Sequence, residues 1–308
     1  MRLLITGASG LLGINLAMEA MREHDVIGVD RGKLKSAPFR VFPIDFLQTN
    51  EIHSLLDSTN PDWLINCAAL ANLDKCEEDP TQAERLNTDF PAELAAACSG
   101  RNIKFVHIST DSVFDGTKES MYSEEDEPSP PGVYSQTKLE GERAVAQVNP
   151  QAIIARVNFY GWSLGGRRSL GEFFVKNLSE EYNVNGFTDV IFCPMWVNHL
   201  SLILLKMLEK NLQGLYHVVG PQAMSKYQFG VEVAKRFGLR ENLISPQSVE
   251  RSSLTARRSH NLWLSVHKLS TDLGHELPRF STGLDGFYTQ FQQSYPQKIR
   301  GYQHLEGF

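Results

Sequence analysis

A tyrosine and a lysine four residues apart, Tyr134 and Lys138, fall on one face of a helix, one turn from each other. Held in that way, the ammonium can favour a phenolate and draw a pKa of about 10 toward neutrality. A tyrosine so tuned can give a proton to a carbonyl oxygen or take one from a hydroxyl. Two solvated side chains on an amphipathic helix have the same spacing. The pair therefore gains meaning only from what surrounds it.

A second constellation is Gly7-Ala8-Ser9-Gly10-Leu11-Leu12-Gly13. It follows a short apolar strand over residues 2–6 and opens a helical pattern with Leu16, Ala17 and Ala20 on one side. Strand, glycine turn and helix in this order is the context of a dinucleotide fingerprint. Glycines let the backbone approach a pyrophosphate, and the N–H groups and dipole of the helix N-terminus favour its charge. The candidate cofactor contacts here are Gly7, Ser9, Gly10, Leu11, Leu12 and Gly13. The spacing is G-x-x-G-x-x-G, and a tight turn with a close helix contact is the alternative. The next strand, Val26 to Asp30, ends in an acid about 20 residues on, where a carboxylate can grip the adenosine ribose hydroxyls. Arg31 follows and can instead pair with a 2′-phosphate, so NAD and NADP both stand.

The elements that must position these residues alternate along the chain. Strands are expected at 41–44, leading to Asp45-Phe46, and at 63–66, leading into Cys67-Ala68-Ala69-Leu70. Small residues at the latter place let a flat ring or a ribose lie close. Asp45, Phe46, Ala68, Ala69 and Leu70 thus join the expected cofactor set, with Tyr134 and Lys138. Further strands are expected at 104–108, opening into Ser109-Thr110-Asp111-Ser112, and at 152–157, running into Asn158-Phe159-Tyr160-Gly161. Helices fill the gaps at 50–58 and around 92–97. This rhythm predicts an α/β fold, a Rossmann-type doubly wound parallel sheet with ligands at the carboxyl ends of its strands. Residues 1–160 form the expected NAD(P)-binding domain, rejoined by 190–220. Residues 161–189 and 221–308 form a smaller, mostly helical lid without sheet rhythm. The acidic run Glu124 to Glu127 reads as a solvated face.

Composition sets outer limits. The chain has 308 residues, is 42% hydrophobic and 21% charged, and carries a formal net charge of −6, which argues against nucleic acid or an anionic membrane as main partner. Its 4 cysteines are scattered without a C-x-x-C pair, so neither a disulfide framework nor a zinc site is expected. The apolar run Leu3-Leu4-Ile5 ends at once in Thr6-Gly7, unlike a signal peptide, and no segment has the length of a membrane span. A cytoplasmic location is the expectation.

Taken together, these motifs resemble those of the extended short-chain dehydrogenase/reductase family. The likeness rests on the glycine turn, Asn66-Cys67-Ala68-Ala69, Ser109-Thr110-Asp111, Tyr134-x-x-x-Lys138 and Tyr160-Gly161. Within it, Ser109 to Gly116 is similar to the S-T-D-Y-V-F-D-G signature of dTDP-4-dehydrorhamnose reductases, and Arg258-Ser259-His260-Asn261 resembles their R-P-x-N. The resemblance implies an NAD(P)H-dependent oxidoreductase that reduces the 4-keto group of a nucleotide sugar. Thr110, Tyr134 and Lys138 would be catalytic: Tyr134 would protonate the oxygen, Lys138 would hold the nicotinamide ribose, and Thr110 would orient the oxygen. Thr110, Asp111, Ser112, Asn158, Phe159 and Arg258 would meet the substrate, with Arg167, Arg168 and Arg257 as further diphosphate candidates. The family's dehydratases carry a glutamate two residues after the threonine; Ser112 stands here, which points to simple reduction. Ser112 also replaces the signature tyrosine, Phe159 a frequent tryptophan, Ala71 a threonine, and Asn15 an acid that helps to bind magnesium. No metal is therefore expected, and a different sugar nucleotide fits equally well. The expected partners are the nucleotide sugar and, as an assembly, a homodimer. The same signature occurs in the regulatory subunit of methionine adenosyltransferase, a cofactor-binding protein that is the alternative reading. The polar tail from Pro296 to Phe308 is then a partner surface or a frayed end.

Overall fold

A computed structural model describes residues 1–32, 34–46, 50–251 and 259–302, with the backbone alone at residue 50. Seven strands form one parallel sheet: β1 (Arg2–Thr6), β2 (Asp25–Asp30), β3 (Arg40–Pro43), β4 (Trp63–Asn66), β5 (Lys104–Thr110), β6 (Ile153–Val157) and β7 (Gly214–Val218). The order across the sheet is β7-β6-β5-β4-β1-β2-β3. From β1 the chain moves outward through β2 and β3, then returns to place β4 on the other side of β1. The reversal opens a crevice between β1 and β4 at the carboxyl ends of the strands, where doubly wound sheets bind ligands. Register sets Thr6 beside Asn66, Asn66 beside His107, and Thr110 beside Val157. Thr6, Asn66 and His107 thus form a polar row across the end of the sheet.

The inner strands are apolar over much of their length because helices cover both faces. On one face the helix α1 (Leu11–Ala20) lies with Val197–Glu209, sharing a core with Leu3, Ile5, Val106 and Leu204. On the other, Asn50–Thr59 and Phe90–Ser99 cover Leu4, Leu64 and Phe105.

Beyond β6 the chain builds an aromatic cluster of Tyr160, Trp162, Phe174, Phe229 and Phe287, into which Ile14 of α1 projects. The helices Leu170–Ser179, Lys226–Phe237 and Phe280–Gln292 carry much of it. This part is not purely helical. Met224–Ser225, Ile191–Phe192 and Asn261–Leu262 pair as a small sheet, and Val184–Phe187 pairs with Ile244–Gln247. Strands of two to four residues are too short to leave a periodic signal. The tail also differs from a frayed end. Tyr295–Arg300 is a helix with Ile299 fully buried, and the Lys35 N–H donates to the Tyr302 carbonyl at 2.7 Å. Residues 303–308 lie outside the described residues. Nor is the acidic run wholly solvated. Glu124 accepts from the His217 N–H at 2.9 Å, and Asp126 takes the Lys118 ammonium at 2.7 Å. Among the described residues no helix is long and apolar enough to cross a membrane.

Candidate active site

The glycine turn owes its shape to two close approaches. Gly7 has φ +65°, and a Cβ there would press on the backbone of Cys67 and Ala68 in the next strand's loop. A Cβ on Gly13 would overlap the Gly7 carbonyl. Gly10 caps α1 without any side-chain hydrogen bond, so the first helical N–H groups keep their donor capacity for an anion. Asp30, buried at the end of β2, accepts from the N–H of Ser9 and of Arg31, each at 2.8 Å. The carboxylate is therefore a strut for the turn as well as a candidate ribose acceptor, since each oxygen has a second lone pair. These groups fit a dinucleotide: backbone donors for a diphosphate, a carboxylate at the ribose, and small residues where the backbone must come close.

Tyr134 and Lys138 lie on the helix Val133–Val148, which packs against β5. Lys138 is 1% exposed; its ammonium donates to the Ile108 carbonyl at 2.6 Å and lies 3.4 Å from His107 Nε2. Burial draws its pKa down to about 8, against the opposing pull of Glu142. The Thr110 hydroxyl lies close enough to the Tyr134 phenol to favour its ionised form. The phenol pKa moves opposite to the sequence expectation: burial pushes it up to about 12, the Thr110 hydroxyl opposes this, and Asp111 adds to the rise. Lys138 spends its charge on the Ile108 carbonyl and does not hold a phenolate. At neutral pH the tyrosine is thus the protonated phenol, the form that can donate a proton.

Thr110 ends β5 and Asp111 follows it into a short turn. Asp111 is 2% exposed and accepts from Asn158 Nδ2 at 2.6 Å, from Thr110 Oγ1 at 3.2 Å and from Ser112 Oγ at 3.3 Å. Burial raises its pKa, with these hydrogen bonds and Lys226 working against the rise. Thr110, Asp111, Ser112, Asn158 and Tyr134 are thus joined at one edge, with Phe159 beside Asn158 and half-buried.

Sequence reasoning missed Asn87. It is fully buried in a π-helical turn, Arg85–Asp89. Its Oδ1 accepts from the Leu70 N–H at 2.9 Å, and its Nδ2 donates to the Leu70 carbonyl and to Thr137 Oγ1 at 3.1 Å each. One amide therefore fixes the Ala68–Leu70 loop against the Tyr134 helix. A cue was Gly141, a glycine inside a helix; a Cβ there would overlap the Asn87 carbonyl.

One expected side-chain contact falls elsewhere. The Phe46 ring packs into the core against Phe90, with centroids 5.0 Å apart, which leaves only its backbone for a cofactor; Asp45 is exposed beside it. Ala68 is buried and Ala69 exposed at the end of β4. Arg167 and Arg168 are exposed on a loop whose backbone is held by Glu172, and Arg257 and Arg258 lie outside the described residues.

Residues 1–293 match the family described as "RmlD substrate binding domain". The chain belongs to this family. It is 32% identical over 292 residues to a Haloferax volcanii protein named "Probable low-salt glycan biosynthesis reductase Agl14", covering 93% of this chain and 97% of that one. It is 29% identical over 296 residues to "Methionine adenosyltransferase 2 subunit beta" of Pongo abelii, covering 90% and 84%. A dTDP-4-dehydrorhamnose reductase of Bacillus anthracis, solved in complex with NADP, superposes with a TM-score of 0.85 at 25% identity, covering 94% and 99%.

Within this RmlD-family chain, Asn15 has a structural task. Its Nδ2 donates to the carbonyls of Leu11 at 2.7 Å and Trp162 at 2.9 Å, and its Oδ1 accepts from the Tyr295 hydroxyl at 3.0 Å. It ties α1 to the segments that carry Trp162 and Tyr295. Among the described residues, one trio of metal-ligand type, Glu23, His24 and Glu209, has its ligand atoms within 4.8 Å of one another. It follows the far end of α1 from the glycine turn, and Glu209 already pairs with Lys206 at 2.8 Å.

Proposed function

We propose that this RmlD-family protein is an NAD(P)H-dependent reductase of a nucleotide-activated 4-keto sugar, akin to dTDP-4-dehydrorhamnose reductase. The observation that carries the reading is the half-buried Tyr134 between the buried Thr110 and Lys138, at the same strand edge as the uncapped N-terminus of α1. The similarity to proteins named as reductases, one of them solved with NADP, supports it.

When bound, the dihydronicotinamide supplies the hydride. Gly7, Ser9, Gly10, Leu11, Leu12 and Gly13 would hold its diphosphate by backbone N–H groups, with Asp30 and Arg31 at the adenosine ribose. Ala68, Ala69 and Leu70, fixed by Asn87, would line the nicotinamide side. Lys138 keeps a third N–H for the nicotinamide ribose after serving Ile108 and His107. Tyr134, held neutral by burial, donates its proton to the substrate oxygen, and Thr110 hydrogen-bonds and orients that oxygen. Ser112 has no carboxylate with which to remove a substrate proton, so the chemistry ends at the alcohol. Asp111, Asn158 and Phe159 border the sugar, and the residues at 112 and 159 set which sugar fits.

The test is to mix the purified protein with NADPH and a panel of dTDP-, GDP- and UDP-4-keto sugars and follow NADPH consumption. Consumption with at least one of them is expected. Tight cofactor binding with no consumption in any case would reject the reductase reading in favour of a regulatory subunit like that of methionine adenosyltransferase.

A further inference from the structure

Behind Lys138 a row of buried polar side chains crosses the sheet from β5 to β1. His107, fully buried, places Nε2 at 3.4 Å from the Lys138 ammonium and Nδ1 at 3.3 Å from Asn66 Nδ2. Asn66 Oδ1 accepts from the Thr6 hydroxyl at 2.5 Å, and the Thr6 oxygen accepts from the Ala68 N–H at 3.4 Å. Strand register puts all three side chains in line, and Gly141 lets the Tyr134 helix come close over the ring: a Cβ there would lie 3.5 Å from His107 Nε2. Three groups inside an apolar sheet are costly unless each has a partner.

The row can run in two directions. With Asn66 donating to Nδ1, the imidazole proton is on Nε2 and faces Lys138, which can accept it only as a neutral amine. With the Asn66 amide rotated by half a turn, Nδ1–H donates to Oδ1, Asn66 Nδ2 donates to Thr6, and Nε2 accepts from an ammonium. An ammonium selects the second direction; a neutral amine selects the first.

We propose that His107, with its tautomer held by Asn66 and Thr6, is the positioning residue that keeps Lys138 charged and aimed in the active site. This rests on the reading of Lys138 given under the proposed function. The other titratable groups facing the ammonium are Glu142 on its own helix and Cys67 after β4. Glu142 is committed to Arg156 and Ser109, and burial keeps the Cys67 thiol protonated. His107 is itself neutral, because burial and the adjacent Lys138 depress its pKa. That leaves it the neutral side-chain acceptor for Lys138.

The test is the titration of Lys138 in protein labelled with ¹³C at lysine Cε, its signal assigned by loss in Lys138→Met. His107→Gln puts an amide where Nε2 was and keeps the acceptor; His107→Asn reaches only Asn66; His107→Leu offers nothing. Wild type and His107→Gln should titrate together, and the Asn and Leu variants should shift down by about one unit. Equal midpoints in wild type and the Asn and Leu variants would overturn the proposal, as would a Gln variant that falls with Leu. If the Leu variant does not fold, the contrast between Gln and Asn decides. This readout needs no turnover, so a protein that reduces no sugar yet shows the shift loses the reductase reading and keeps the relay.

Discussion

Removing the Glu142 carboxylate tests how the Lys138 helix is anchored to the sheet. Glu142 lies one turn beyond Lys138 and is 4% exposed; Arg156, on β6, is 2% exposed. Arg156 Nε donates to Oε1 at 2.9 Å and its second terminal nitrogen to Oε2 at 2.8 Å, while the Ser109 hydroxyl donates to Oε1 at 2.5 Å. In Glu142→Ala the guanidinium stays buried with little but the Phe114 ring, 5.0 Å away, to face it. Breaking such a pair from one side costs about 3–5 kcal/mol, a large share of a typical stability of about 5–15 kcal/mol. Replacing both charges removes the uncompensated ion. Glu142→Leu with Arg156→Met should therefore recover to within about 1 kcal/mol of wild type, the thioether packing on Phe114. Urea unfolding followed by circular dichroism, with slopes compared between variants, gives the values. A loss below about 1 kcal/mol in Glu142→Ala, or a double variant less stable than the single one, would refute the reasoning.

Tyr134→Phe should lower kcat by on the order of 10² or more while leaving NADPH affinity nearly unchanged, because only the proton is lost; unchanged turnover would place the donor elsewhere. Asp30→Ala should weaken NADPH as well as NADH, since the carboxylate props Ser9 in the glycine turn; titration of cofactor fluorescence showing a loss confined to NADH would limit Asp30 to the ribose. Gly13→Ala should abolish binding of both cofactors in a folded protein, because the new Cβ overlaps the Gly7 carbonyl; normal affinity would mean that the turn tolerates a shift. Stability should fall with acid. Burial, then Arg156, holds His217 down to about 3 from 6.5, so between those values the unfolded chain binds the extra proton. That removes about 1.4 kcal/mol per pH unit for this histidine as pH drops from 6.5 toward 3. Urea midpoints at several pH values should show a shallower slope in His217→Gln, and an identical slope would remove His217 from the account.

Local order in the chain was enough for the α/β architecture and for the named groups of the site. Apolar runs, the glycine turn and the four-residue step from Tyr134 to Lys138 are short-range patterns, and each reflects a local constraint of strand, turn or helix. Their strand-end positions follow from the doubly wound topology that the alternation implies. What required the tertiary structure was every property set by neighbours distant in sequence. Burial decides that the Tyr134 pKa is raised and not lowered. The Phe90 contact takes the Phe46 ring into the core. The π-turn brings Asn87 to Leu70, 17 residues away, and strand register lines up Thr6, Asn66 and His107 behind Lys138. Sequence spacing says which groups can meet along one element; the low dielectric and the hydrogen-bond partners that tune them arise only where separate elements pack together.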